Sequence, residues 1–203
     1  MAQEDTIKII KKIEHPMVRQ LKSLRLHQAD LRQCSAILSH FQNLQEINNL
    51  QISPELSKVL GFTSLSLYFK IFTPSKARIM LDKTKVFRDQ PEFNSSFNHF
   101  QNIRNRYLLN DENAQTKSSA GLLLSIENQP VKVISLGETG ILLVDRDIQR
   151  LTELVEFTLS YLSQKSADIE SQLLAIYQTW SVPELINLPD INLPDINLTD
   201  VNN

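Results

Sequence analysis

The segment with the clearest chemical potential lies near the middle of the sequence and reads RNRYLLN, residues 104–110. The spacing of apolar residues before it predicts a helix in which Arg104 borders the apolar face, four residues after Phe100. A guanidinium in that position requires a partner. In a structural interpretation, that partner is an internal carboxylate or the carbonyls of a helix end. In a functional interpretation it is a phosphate, which suits the planar fork of arginine. Residue chemistry alone leaves both interpretations open.

No other residue set has the spacing of a known catalytic or metal site. The chain lacks a phosphate-binding glycine loop and the GxSxG and HExxH motifs, and no two of its four histidines are three or four residues apart. His27 and Asp30, three apart on one predicted helix, are interpreted as a solvated polar pair. Cys34, the only cysteine, is expected to be buried and unreactive. The sequence therefore predicts no metal and no cofactor.

Charge is distributed unevenly over the 203 residues, although the net charge is only −2. Residues 1–106 hold 16 Lys and Arg against 9 Asp and Glu, whereas residues 107–203 hold 5 against 14. This asymmetry indicates either a basic face for an anionic partner or two halves that complement each other within the fold. No apolar run is long enough to span a bilayer, and the start of the chain does not resemble a secretion signal. With a single cysteine, we expect a cytoplasmic protein without membrane contact.

The elements that must position Arg104 are mainly helices. Glycine is scarce, and apolar residues recur at helical spacing over most of the chain. The pattern predicts one helical domain over residues 1–180. Within it, helices are expected at 4–14 and 17–46, from Ser53, from Pro91 through the Arg104 segment, and from Asp145 or Asp147 to about 180.

Two regions do not fit a helix. Three β-rich runs, at 122–126, 131–136 and 141–144, predict a small antiparallel β-meander inserted near residues 120–145. At the C-terminus, INLPD at 186–190 recurs at 191–195 and is followed by INLTD at 196–200. Because two of these copies contain proline, residues 181–203 are expected to form an extended acidic tail. The alternative is a short motif that docks through its Ile and Leu positions.

The segment from Arg104 to Asn110 resembles a motif of the HEPN superfamily of helical domains. In that family an Arg and a polar residue, often Asn, precede a His near the end of a helix. Arg104 and Asn105 match, but Asn110 occupies the histidine position. Other stretches, such as HQADLRQCSAIL at 27–38 and LSLYFKIFTPSKARIML at 65–81, also resemble helices of the family. The resemblance covers about residues 17–177.

The resemblance implies a helical bundle that forms a homodimer. Active HEPN domains are metal-independent ribonucleases in which the histidine handles protons and the arginine holds the scissile phosphate. An amide cannot serve as a general acid or base, so Asn110 argues against catalysis. His99 is a poor substitute, since five residues place it about 140° around the helix from Arg104.

Three functions remain in view. The first is a catalytically degraded HEPN-like protein that binds RNA or a protein as a scaffold, for which the resemblance suggests a bacterial defence or toxin–antitoxin-type system. Its candidate binding residues are Arg104, Asn105 and Asn110. The second is an active ribonuclease that uses Arg104 and an unrecognised base. The third is a protein-interaction module with no role in nucleic-acid binding, whose partner contacts the C-terminal tail.

Overall fold

The computed structural model describes residues 10–48, 53–105, 117–126, 128–138 and 143–191. The elements within them are, in chain order, α1 (Pro16–Asn48), α2 (Pro54–Lys70), α3 (Lys83–Val86), α4 (Pro91–Arg104), β1 (Lys117–Leu124), β2 (Pro130–Glu138), α5 (Asp145–Gln178) and α6 (Val182–Ile186). The predicted fold class is confirmed: the chain is mainly helical, with a small antiparallel sheet between α4 and α5.

The long helices α1 and α5 form the centre of the bundle. α1 packs against both α5 and α2, and α4 packs against α5 and α2. A continuous set of apolar side chains fills the space between them, because each helix carries its apolar residues at steps of three and four. The most deeply buried include Leu31, Leu38 and Phe41 of α1, Leu65, Tyr68 and Phe69 of α2, Phe97 and Phe100 of α4, and Leu151, Leu154 and Leu162 of α5.

Local sequence signals account for the helix starts. α1 begins at Pro16, where the imidazole Nδ1 of His15 accepts a hydrogen bond from Met17 N at 3.2 Å. α2 begins at Pro54, where Ser53 Oγ accepts from Leu56 N at 3.2 Å. Proline suits both places because the N–H groups in the first turn of a helix have no partner within the helix, so the missing N–H of proline costs no hydrogen bond.

The helix predicted over residues 4–14 is wrong for its described part, since residues 10–15 are not helical. Lys11 instead forms an antiparallel bridge with Asp190. The apolar residues of this segment do recur at helical spacing. In so short a segment, however, backbone pairing with a distant part of the chain overrides local helix propensity.

The inserted sheet has two strands in the described chain. β1 and β2 pair antiparallel, with Leu122 opposite Val133, and Asn128 takes a positive φ of 60° in the connection between the strands. The third predicted run lies partly outside the described residues, and its described part is not a strand. Leu143 is buried, and its Cδ1 would lie only 3.1 Å from a Cβ at Gly61, so this leucine packs directly on α2. Exposed apolar side chains occupy one face of the hairpin: Leu122, Leu124, Val131 and Val133.

The beginning of the predicted extended tail is a helix. Residues 182–186 form α6, and Glu184 Oε2 accepts hydrogen bonds from the N–H and the hydroxyl of Ser181, each at 2.7 Å. Proline at the second position of this helix does not interrupt it, for the same reason as at α1. Residues 192–203, which carry the second and third repeats, lie outside the described residues.

Candidate functional site

The two described residues of the RNRYLLN motif lie at the C-terminal end of α4. Arg104 is the last residue of the helix, and Asn105 follows it in helical conformation, with its N–H directed at the carbonyls of Gln101 and Asn102. Both side chains are half-buried. Asn110 lies outside the described residues, so its distance from Arg104 is not part of the structure.

The guanidinium of Arg104 lies against an aromatic ring. Its Cζ is 5.3 Å from the centroid of Phe69, a residue only 1% exposed in the core between α2 and α4. Such a cation–π contact holds the charge beside the apolar core and leaves the N–H groups at the edge of the guanidinium available. In the described part of the chain, no carboxylate pairs with Arg104. The arrangement can bind an anion without first breaking an ion pair among those residues.

His99, the nearest histidine in sequence, has a partner elsewhere. Its Nε2 lies 3.0 Å from Oδ1 of Asp147, in the first turn of α5. Two further contacts continue this link between α4 and α5, as Arg150 Nε donates to Ser96 Oγ at 2.7 Å and Arg150 also reaches Ser95. The pairing joins His99 to α5, which favours a structural role for its imidazole over proton transfer beside Arg104.

The interpretation of His27 and Asp30 as a solvated pair is wrong. His27 is 1% exposed and Asp30 is 9% exposed. Together with Ser23 they form a polar stripe along α1, which we call the α1 seam, at steps of four and three residues. Such steps place side chains on one helix face. This face is covered by the segment that follows α2, a contact between distant parts of the chain that no local pattern indicates.

The α1 seam holds both backbone groups of Ile79. Ile79 N donates to Ser23 Oγ at 3.0 Å, and His27 Nε2 donates to Ile79 O at 2.8 Å. Burial, the largest influence, lowers the pKa of His27, so its neutral form is favoured. The seam therefore supplies the hydrogen bonds that this non-helical segment cannot make within itself.

Asp30 completes the seam through two cations. Arg78 donates to its Oδ2, and Lys70 Nζ lies 2.9 Å from its Oδ1. Burial opposes the charged form of this carboxyl, but the hydrogen bonds and charges of Lys70 and Arg78 outweigh it and lower the pKa of Asp30. The charge of Asp30 is thus neutralised within the fold, which favours a structural role for the seam. Among the described residues, the Nδ1 atom of His27 is buried without a hydrogen-bond partner.

A cavity of about 570 Å³ lies between the α1 seam, residues 79–88 and α5. Apolar side chains, among them Leu24 and Leu81, line part of it, and so do the cations of Lys85, Arg88 and Lys165. Its lining also contains the carboxylates of Asp82 and Asp168, His27, and the phenol of Tyr161, whose pKa is raised, mainly by burial. Sequence analysis missed this site because its residues come from three segments far apart in the chain.

Cys34 is buried as expected. Its Sγ donates to the carbonyl of Ser64 at 3.3 Å, and burial raises the pKa of the thiol to about 12. A thiol of this kind is not a nucleophile at neutral pH. Within the described ranges, no group of three or more His, Cys, Asp or Glu residues is arranged to hold a metal ion, and none of the helices there has the length and apolar character needed to cross a membrane.

Comparison with protein-family models, with curated proteins and with solved structures gives no match for this chain. The likeness to HEPN domains therefore stays a prediction based on the motif residues.

Proposed function

We propose that this protein is a non-catalytic, HEPN-like RNA-binding protein in which Arg104 holds a phosphate of the RNA. The observation that carries the proposal is the position of Arg104, over the ring of Phe69 and without a carboxylate partner in the described part of the chain. An arginine held in this way keeps its charge and its hydrogen-bonding edge for an anion.

Two further observations support binding without cleavage. The histidine position of the motif is Asn110, whose amide cannot transfer protons at neutral pH. His99 is paired with Asp147 of α5. The basic excess of residues 1–106 suits a polyanionic partner, because phosphate binding gains from the release of counterions.

The test is the affinity of the purified protein for a fluorescently labelled single-stranded RNA, measured at increasing KCl concentration. We expect Arg104→Ala to weaken binding about tenfold at low salt. It should also reduce the slope of log affinity against log salt concentration by the amount that corresponds to about one phosphate contact. Arg104→Lys should retain part of the affinity, because it keeps the charge but not the planar fork. The control is Arg32→Ala, which removes an exposed cation of α1. Equal effects of the Arg104 and Arg32 variants would contradict a specific role for Arg104.

Cleavage is tested on the same samples. We expect no degradation of mixed cellular RNA without added metal, either by the parent protein or by Arg104→Ala. Cleavage by the parent that is lost in Arg104→Ala would instead favour the active ribonuclease. In that case His99→Gln would test whether this histidine supplies the missing base.

A second candidate function is the binding of a small anion with an apolar body in the cavity beside the α1 seam. It is favoured by the three cations that line a partly apolar cavity, of which Arg88 and Lys165 pair with no carboxylate of the described chain. Inorganic phosphate and a nucleoside monophosphate are suitable probes in a thermal-shift titration. A rise in Tm that Lys165→Ala removes, and that Lys22→Ala on the surface of α1 does not, would support this site.

A further inference from the structure

The first copy of the C-terminal repeat is bound to the helical domain. Residues 189–191 lie antiparallel to residues 10–12. Lys12 N donates to Pro189 O at 2.7 Å, and Ile191 N donates to Ile10 O at 2.9 Å. These are the two hydrogen bonds of a short β-bridge, which is how peptides commonly add to an exposed backbone edge.

Side chains of the same copy add a second set of contacts. Leu188, together with Leu185 of α6 just before the copy, lines an apolar groove of about 350 Å³ that Leu21, Leu173 and Tyr177 also line. Beside the groove, Lys11 Nζ lies 2.8 Å from Oδ1 of Asp190. The docked copy is therefore held by three kinds of contact: Leu188 in the wall of the groove, the carboxylate of Asp190 on Lys11, and a backbone bridge.

The contacts that follow α6 require four successive positions of the tail. In the bound copy these four positions are residues 188–191. The first is a leucine, the second accepts a hydrogen bond through its carbonyl, the third is an aspartate and the fourth donates through its N–H. The same order recurs as Leu-Pro-Asp-Ile at 193–196 and as Leu-Thr-Asp-Val at 198–201. Proline at the second position loses nothing, because only its carbonyl is used, and threonine supplies the same group.

We propose that the residue 10–12 edge and its groove form a recognition site for Leu-(Pro/Thr)-Asp-aliphatic segments. The second and third repeats of the same molecule are alternative occupants that can replace the first. This inference is carried by the identity of the second copy with the bound one, the similarity of the third, and the charge complementarity of Lys11 and each aspartate.

Exchange between the copies is physically reasonable because the bound state is held by few interactions. The Asp190 side chain is 62% exposed, so its ion pair with Lys11 contributes little. A shift by one copy lengthens the connecting loop by five residues, and the entropy of loop closure grows only with the logarithm of loop length. The first copy has the advantage of α6, whose start is stabilised by the bonds between Ser181 and Glu184.

Hydrogen exchange of the Lys12 amide in the full-length chain reports on docking, because this N–H is bound by the tail carbonyl. One variant replaces the leucine and aspartate of the first copy with alanine (Leu188→Ala, Asp190→Ala). A second variant makes the equivalent changes in all three copies. A matched control replaces the asparagine of each copy, Asn187, Asn192 and Asn197, with alanine, since the Asn187 side chain takes no part in the bridge.

In the first-copy variant we expect the protection of Lys12 to fall by less than about threefold, because the second and third copies can still bind. In the all-copy variant it should fall by more than about tenfold. The asparagine control should leave the protection unchanged. A first-copy variant that is as exposed at Lys12 as the all-copy variant would overturn the proposal. Protection that depends on protein concentration would also overturn it, because the occupant would then come from a second molecule.

A charge reversal tests the second copy directly. Lys11→Glu should reduce the protection of Lys12, and Asp190→Lys should restore it through the first copy. The decisive variant combines Lys11→Glu with Asp195→Lys, which can restore protection only if the second copy reaches the site. Restoration by Asp190→Lys without restoration by Asp195→Lys would mean that only the first copy binds. If neither restores it, the proposal is also overturned, because the charge of Lys11 would then not select the docked segment.

Discussion

Two charged groups that contact the C-terminal end of α2 differ in how they are neutralised. Asp30, in the α1 seam, is contacted by Arg78 and Lys70, and its side chain is 12% exposed. Arg104, at the end of α4, has the ring of Phe69 on one side and no carboxylate partner among the described residues. The first is an ion-pair network closed within the protein, and the second is a cation whose counter-charge the described chain does not supply.

This difference separates a charge that is paired within the fold from a charge that is open to the ligand we propose. A buried charge that is fully paired costs much to disturb and offers nothing to a ligand. A charge that is held by an aromatic ring but left unpaired costs less to remove and can bind an external anion. Mutations at the two positions should therefore have opposite consequences: loss of stability at Asp30 and loss of ligand binding at Arg104.

The largest expected effect is that of Asp30→Asn on stability. The variant leaves Arg78 partly buried without its counter-charge, and the free energy of unfolding should fall by about 3 kcal/mol. Urea denaturation followed by circular dichroism measures this change. The control, Asp89→Asn at an exposed position, should change it by less than about 0.5 kcal/mol. A small effect at Asp30 would remove the contrast with Arg104.

The same carboxylate should make stability depend on pH in acid. Because the pKa of Asp30 is lower in the folded state than in the unfolded chain, its contribution is complete above the unfolded value of about 4. It is lost as the pH falls through the folded value. Unfolding free energies measured from pH 6 to pH 2.5 should therefore decline less steeply in Asp30→Asn than in the parent. Identical pH profiles would contradict the pairing of Asp30.

His27 should add a smaller pH dependence at higher pH. Burial lowers its pKa in the folded state, so the unfolded chain binds a proton first as the pH falls below about 6.5. Stability is greatest above that value and declines towards the folded pKa. His27→Gln should remove this decline, whereas His40→Gln, at an exposed position of α1, should not. A decline that persists in His27→Gln would assign it to another group.

The smallest expected change in stability is that of Arg104→Ala. A cation–π contact at a half-buried position contributes about 1 kcal/mol, and no ion pair with a described residue is broken. The variant should therefore unfold close to the parent in urea while it loses RNA affinity. A loss of about 3 kcal/mol, as at Asp30, would show that Arg104 also has a structural partner.

The sequence predicted the fold better than it predicted the polar sites. Helical spacing indicated the faces of α1 and α5, including the burial of Cys34, and proline and serine signalled the starts of α1 and α2. The β-rich runs at 122–126 and 131–136, separated by turn residues, predicted the antiparallel pairing, although the first strand begins earlier, at Lys117. Each of these features depends on residues close together in the chain.

The errors occurred where distant segments meet. Residues 10–14 were expected to be helical but are not, and residues 10–12 pair with residues 189–191 of the tail. Residues 182–186 were expected to be extended but form α6. His27 and Asp30 were interpreted as solvated because their partners, Ile79, Arg78 and Lys70, lie 40 to 52 residues away. Local propensity contributes only tenths of a kcal/mol per residue, so a few tertiary hydrogen bonds outweigh it.

By itself, the sequence determined the helical class, the apolar faces, the presence of a small antiparallel β insertion and the repeated tail, because periodicity and turn chemistry are local. Only the tertiary structure decided which polar groups are paired: Asp30 is paired by the segment after α2, His99 by α5, and the first repeat by Lys11. The physical reason is that an ion pair or buried hydrogen bond depends on distance in space. Whether a polar residue is structural or free to bind was thus settled by folding.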